Sequence, residues 1–146
     1  MLGPDTIYYD GYCGLCHRWV KFVMPRDDGT RFRFAPLQGP TFTQAVDAET
    51  RERLPDSIIV QRHPSPATAP GDGGEPELLT KSTAILHILR RLGGGWRVLS
   101  WLGRAVPRPL RDVVYDGVAA VRHRVFARPN DACPMMPPEL RSRFLP

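Results

Sequence analysis

The tightest constraint on this chain is a change of period at Cys13. Upstream, Thr6-Ile7-Tyr8-Tyr9 is β-branched and aromatic, which predicts a short strand. Asp10-Gly11-Tyr12 follows as a turn. From Cys13 onward Leu15, Trp19, Val20, Phe22 and Val23 recur at helical spacing, so a helix begins there and ends near Met24-Pro25. A strand that hands over to a helix across Cys13-Gly14-Leu15-Cys16 puts two thiols in the first helical turn. That turn leaves backbone N–H groups unpaired and carries the positive end of the helix dipole. A thiolate at Cys13 is stabilised in such a place, which predicts a pKa below the free value of about 8.5. Cys16, in the same turn, is placed to resolve a mixed disulfide by attacking its sulfur. Gly14 is expected to leave the turn open to an approaching disulfide.

Two neighbours bear on this pair. His17 can share a helix face with Cys13 and stabilise the thiolate when protonated, or it can be a polar residue on the outer face of an amphipathic helix. Asp10, at the strand end, can cap the turn or relay a proton during exchange. The chain has three cysteines, Cys13, Cys16 and Cys133. An odd number argues against a disulfide scaffold. Structural zinc needs four ligands, and His63, His87, His123 and Cys133 supply no second paired knuckle. Cys13 to His17 also spells the attachment pattern of c-type haem, but that chemistry requires export. The opening residues lack a basic region followed by an apolar core, so no secretory signal is expected and the cytoplasm is the expected compartment. No metal and no bound cofactor are expected. Cys133 reads as a small apolar filler, a third redox centre or a regulatory thiol.

Further along, Arg31 to Ala35 alternates polar and apolar and predicts a second strand. Residues 41–53 predict a helix, and Ser57 to Val60 a third strand. Gln61 to Glu75 is rich in Pro and Gly and reads as a loop. Glu77 to Thr80 predicts a fourth strand, followed by a helix capped by Ser82 and ended by Gly93-Gly94-Gly95. A short helix from Trp96 to Leu102 and a longer one from about Leu110 to Ala127 follow. Leu110, Val113, Val114, Val118, Val121 and Val125 are expected to form the buried stripe of that last helix. The first two strands flank a helix, which implies a parallel pair; the last two imply an antiparallel hairpin. The expected fold is α/β: a thioredoxin-like mixed four-stranded sheet flanked by helices. Residues 1–95 form the dithiol domain, and residues 96–146 a helical C-terminal extension packed on it.

Charge is uneven. Residues 1–80 carry 8 basic and 11 acidic side chains, whereas residues 81–146 carry 12 basic and 4 acidic. Eighteen of the twenty basic residues are Arg. The C-terminal region is therefore either a solvated basic face or a dock for an acidic partner or an anionic surface. No RNA-stacking motif or zinc finger accompanies it, so nucleic acid is not an expected partner.

With these residues in hand, the chain resembles the DCC family of predicted thiol-disulfide oxidoreductases. The resemblance rests on the signature Asp10-Gly11-Tyr12-Cys13-Gly14-Leu15-Cys16 directly after the strand. It continues through STAILHILRRLGGGW, PLRDVVYDGVAAVRHRVF and CPMMPPELRSRFL. It implies a thioredoxin-like fold and dithiol/disulfide exchange through Cys13 and Cys16 with a disulfide- or thiol-containing protein or a small thiol. Thioredoxin-like enzymes generally place a cis-proline beside the dithiol, and Pro55 is the best positioned candidate. The long Gln61–Glu75 segment departs from the family's usual hairpin. A different class of function is a non-enzymatic module, in which the basic C-terminal helices bind a partner and the dithiol is a redox switch.

Overall fold

The computed structural model describes residues 4–28, 31–55, 57–63, 77–125 and 142–146. Cys133, nearly all of the 61–75 loop and most of the closing segment lie outside the described residues.

Four strands form one mixed sheet. They are β1 (Asp5–Tyr9), β2 (Phe32–Pro36), β3 (Ile59–Arg62) and β4 (Glu77–Thr80), in the spatial order β2-β1-β3-β4. β1 and β2 are parallel, with Tyr9 opposite Pro36. β3 runs antiparallel to both β1 and β4. The parallel pair and the hairpin expected from the sequence are therefore present, although β3 begins two residues later than Ser57.

Alternation along each strand divides the core into two layers. Ile7 pairs with Phe34 on one side and Val60 on the other, and Val60 pairs with Leu79. This row meets Val20 and Val23 of helix α1 (Gly14–Val23), and Ala84, Ile88 and Leu92 of α4 (Lys81–Leu92). On the other face, Tyr8, Ala35 and Ile59 pack with Phe42 and Val46. The result is the thioredoxin-like arrangement of a mixed four-stranded sheet flanked by helices.

The helix expected over 41–53 is two helices, α2 (Pro40–Ala45) and α3 (Ala48–Arg53). Asp47 causes the break: its carboxylate accepts the Thr50 N–H at 2.8 Å and starts a new helix. Ser82 is not the cap of α4. Thr80 holds that position without a side-chain bond, and the Ser82 hydroxyl donates to Asp112 instead. α4 does end at Gly93, whose φ of +76° suits glycine. α5 (Gly94–Ala105) and α6 (Arg108–Val125) follow.

The largest departure is α6. Its Leu110, Val113, Val114, Val118, Val121 and Val125, expected to be buried, are all exposed. The side of α6 turned to the protein carries Arg111, Asp112, Tyr115, Ala119 and Arg122. Polar bonds hold it there: Ser82 to Asp112, Lys81 to Asp116 at 3.0 Å, and the Ile58 N–H to the Tyr115 hydroxyl at 3.3 Å. Trp101 of α5 is 72% exposed.

The chain end closes the free edge of β2. The Phe34 N–H donates to the Arg143 carbonyl and the Leu145 N–H to the Phe34 carbonyl, both at 2.8 Å. Phe144 stacks on Phe34 with ring centroids 5.2 Å apart. Arg143 is buried and forms an ion pair with the buried Asp27. Covering an edge in this way removes a template for intermolecular strand pairing.

Candidate functional site

β1 delivers the chain to the sheet's end, and a tight turn converts it into α1. The Cys13 N–H donates to the Asp10 carbonyl at 3.2 Å, and the His17 N–H to the Cys13 carbonyl at 3.1 Å. Cys13 is the N-cap residue of α1, with extended backbone and no side-chain capping bond. The unpaired amides of the first helical turn therefore lie beside its side chain, and no acidic residue occupies that turn.

Asp10 is buried and acts on the backbone of the turn. Its Oδ1 accepts the Tyr12 N–H at 2.9 Å and the Gln38 Nε2 amide at 3.0 Å. These bonds fix the backbone of the turn. The same Gln38 accepts the Gly11 N–H at 3.1 Å, so one amide clamps both ends of the turn. Gln38 was not singled out by sequence. The parallel register that sets Tyr9 beside Pro36 is what brings it alongside Gly11.

His17 is half-buried. Its Nε2 lies 2.9 Å from the Gly11 carbonyl, to which it donates, and its ring meets Tyr9 edge-on at 5.7 Å. It thus ties the helix back to the turn. The proline expectation is corrected by the structure. No peptide bond among the described residues is cis, so Leu54–Pro55 is trans. Trans is the lower-energy isomer of an X–Pro bond. The segment after Pro55 does reach the dithiol side: Ile58 shares a groove wall with Cys16 and is tied to α6 through Tyr115.

Both sulfurs are covered. Cys13 is 1% exposed and Cys16 5%, so the turn is closed where the sequence suggested an open approach. Both are free thiols, and Cys16 hydrogen-bonds Cys13. The Cys16 thiol is pushed up to about 12, first by burial and then by the charge and hydrogen bond of Cys13. The Asp10 backbone and the nearby Arg122 guanidinium pull the other way. Burial also raises Tyr115, again with Arg122 opposing. Among the described residues no three His, Cys, Asp or Glu side chains come together as a metal cluster.

Cys16 lines a groove of about 610 Å³ between α1, α4 and α6. Its walls are almost wholly apolar, with Leu15, Trp19, Ile85, Val114 and Val118 among them, and Arg122 and Tyr115 add the polar groups. Chemically, this is a paired dithiol at a helix N-terminus, with one thiol held protonated beside an apolar groove.

Residues 7–128 match the DCC1-like thiol-disulfide oxidoreductase family. The chain is 32% identical over 143 residues to the uncharacterized protein YuxK of Bacillus subtilis (strain 168), spanning 97% of this chain and 93% of that one. It is 29% identical over 127 residues to a DCC family protein of Arabidopsis thaliana named as chloroplastic, spanning 86% of this chain and 66% of the plant protein. No solved structure matches the chain. The family match takes in the turn, both thiols, helices α1 to α6 and the sheet except for the first two residues of β1, and the bacterial relative is covered almost end to end. The chain belongs to the DCC1-like thiol-disulfide oxidoreductase family.

Proposed function

We propose that the protein exchanges electrons with disulfide substrates through Cys13 and Cys16. The observation that carries this reading is the asymmetry of the pair. Cys13 sits at the N-cap of α1, beside the open amides of its first turn, whereas Cys16 lies within the helix, where burial and then Cys13 push its thiol up. Cys13 is then the attacking sulfur and Cys16 the resolving one.

The Cys13 thiolate attacks one sulfur of a substrate disulfide. A Cys13–substrate disulfide forms, the substrate S–S bond breaks, and the departing thiolate takes up a proton. Capping Cys13 removes its charge, and with it part of what keeps Cys16 protonated. Cys16 then loses its proton and attacks the Cys13 sulfur. The Cys13–Cys16 bond forms and the second substrate thiolate leaves. The substrate gains two electrons and two protons, and the reverse sequence oxidises a dithiol. With Cys13 only 1% exposed, a disulfide meets its sulfur once the surface over the turn yields. The apolar groove beside Cys16 suits a substrate whose disulfide is flanked by aliphatic or aromatic groups.

Trapping tests the order of attack. In a Cys133→Ser background, a Cys16→Ser variant is expected to accumulate a mixed disulfide through Cys13, and a Cys13→Ser variant to accumulate none. The adducts are read by non-reducing electrophoresis and mass spectrometry against a model protein disulfide. Adducts on Cys16 in the Cys13→Ser variant, at the rate of the first, would reverse the assignment. Binding of a partner without any turnover would favour the redox-switch module instead.

A further inference from the structure

Helices α5 and α6 present their apolar faces to solvent, the reverse of the usual pattern for a surface helix. α5 turns small residues inward. Ser100 is buried and donates to the Leu86 carbonyl at 2.8 Å, and a Cβ on Gly103 would lie 2.6 Å from Leu86 Cδ2. Its outer face carries Val98, Trp101 and Leu102, at spacings that share one helix face, and all three are exposed. Arg97 and Arg104 are exposed along the edge of that face, and α5 contains no Asp or Glu. α6 turns Val113 and Val121 outward, while its Leu110 lines the groove beside Cys16, and Arg108 and Arg124 are exposed. Its only two carboxylates are both engaged, Asp112 with Ser82 and with Arg108 at 3.8 Å, and Asp116 with Lys81, so Arg124 is the exposed α6 arginine farther from them.

We propose that this face, centred on α5, seats the protein on an anionic lipid surface, with the helices lying in the plane of the headgroups. An apolar helix face edged by arginines and carrying an exposed tryptophan matches the interface between acyl chains and anionic headgroups. Among the described residues no helix is long and apolar enough to cross a membrane, so the contact is in-plane. A second copy of the chain fits less well. Self-pairing through α5 sets Arg97 and Arg104 near their own counterparts, with no carboxylate on the helix to offset them. A folded protein partner needs a groove matched to the convex helix surface, whereas a bilayer conforms to it. The inference does not depend on the chemistry of Cys13 and Cys16.

Vesicle co-sedimentation of the full chain tests it, using phosphatidylglycerol/phosphatidylcholine vesicles and pure phosphatidylcholine vesicles. Binding to the anionic vesicles is expected to be about tenfold or more tighter than to the neutral ones, and to weaken at about 1 M salt. Tryptophan emission should move to shorter wavelength on binding. A Trp101→Ser, Leu102→Ser variant, changed only at exposed positions, should keep its thermal stability, lose the emission shift and bind about tenfold or more weakly. Arg97→Glu with Arg104→Glu should erase the preference for anionic lipid. The proposal is overturned by a folded parent that binds neither vesicle. It is equally overturned by undiminished binding of the Trp101→Ser, Leu102→Ser variant. Capture by poly-glutamate without vesicle binding assigns the face to an acidic protein. A dimer that this variant dissociates, again without vesicle binding, assigns it to a second copy.

Discussion

If Cys13 is the attacking sulfur, as proposed, replacing it with Ala is expected to reduce disulfide turnover by a factor on the order of 10³ or more. The same substitution has a second consequence that a merely structural residue would not produce. After burial, the two largest causes that push Cys16 up to about 12 are the charge of Cys13 and the hydrogen bond to it. Alanine removes both. Cys16 should therefore ionise at lower pH in the variant than in the parent. Alkylation of Cys16 followed against pH reads this directly, with the midpoint moving down. It remains above that of an exposed cysteine, since desolvation is the leading cause and persists. An unchanged Cys16 profile would mean that the two sulfurs do not interact. Retained turnover would mean that the chemistry lies elsewhere.

Arg143→Met is expected to cost about 3–5 kcal/mol, the usual penalty for leaving a buried charge without its partner. Asp27 has a fully buried side chain. It also accepts the Phe32 N–H at 3.2 Å and the Arg31 N–H at 3.3 Å, so it cannot swing to water. Arg143 lies over the Phe34 ring at 5.4 Å, beside the strand that Phe144 and Leu145 extend. A drop in melting temperature of roughly 8–15 °C should follow for a domain of this size. A double variant, Asp27→Asn with Arg143→Met, should recover part of the loss, because no bare charge remains. A change below about 0.5 kcal/mol in the single variant would place the pair among surface ion pairs of little worth.

The unit that matters most was legible in the sequence because each of its parts is local. Thr6 to Tyr9 announces a strand, the helical spacing from Leu15 to Val23 announces α1, and the thiols fall at their junction. The alternation at Phe32 and Phe34 likewise reports two residues that point into one core layer. What failed was what only the whole fold decides. Periodicity identifies the apolar face of α6 but not which way it points, and Val113 and Val121 face water. Gln38 reaches the turn through a parallel register, and Arg143 reaches Asp27 across 116 residues. Neither carries a local signal. The break at Asp47 was within reach, since an Asp three residues before a Thr N–H is a capping pattern. The cis form of Pro55 rested on resemblance alone, and the bond is trans.

Equilibration of the protein across a series of glutathione redox buffers, followed by alkylation and mass analysis, tests the dithiol most directly. A single two-electron transition is expected, in which Cys13 and Cys16 leave the thiol pool together and become joined to each other. Both residues still alkylated at the oxidising end, or each carrying its own glutathione, would contradict it.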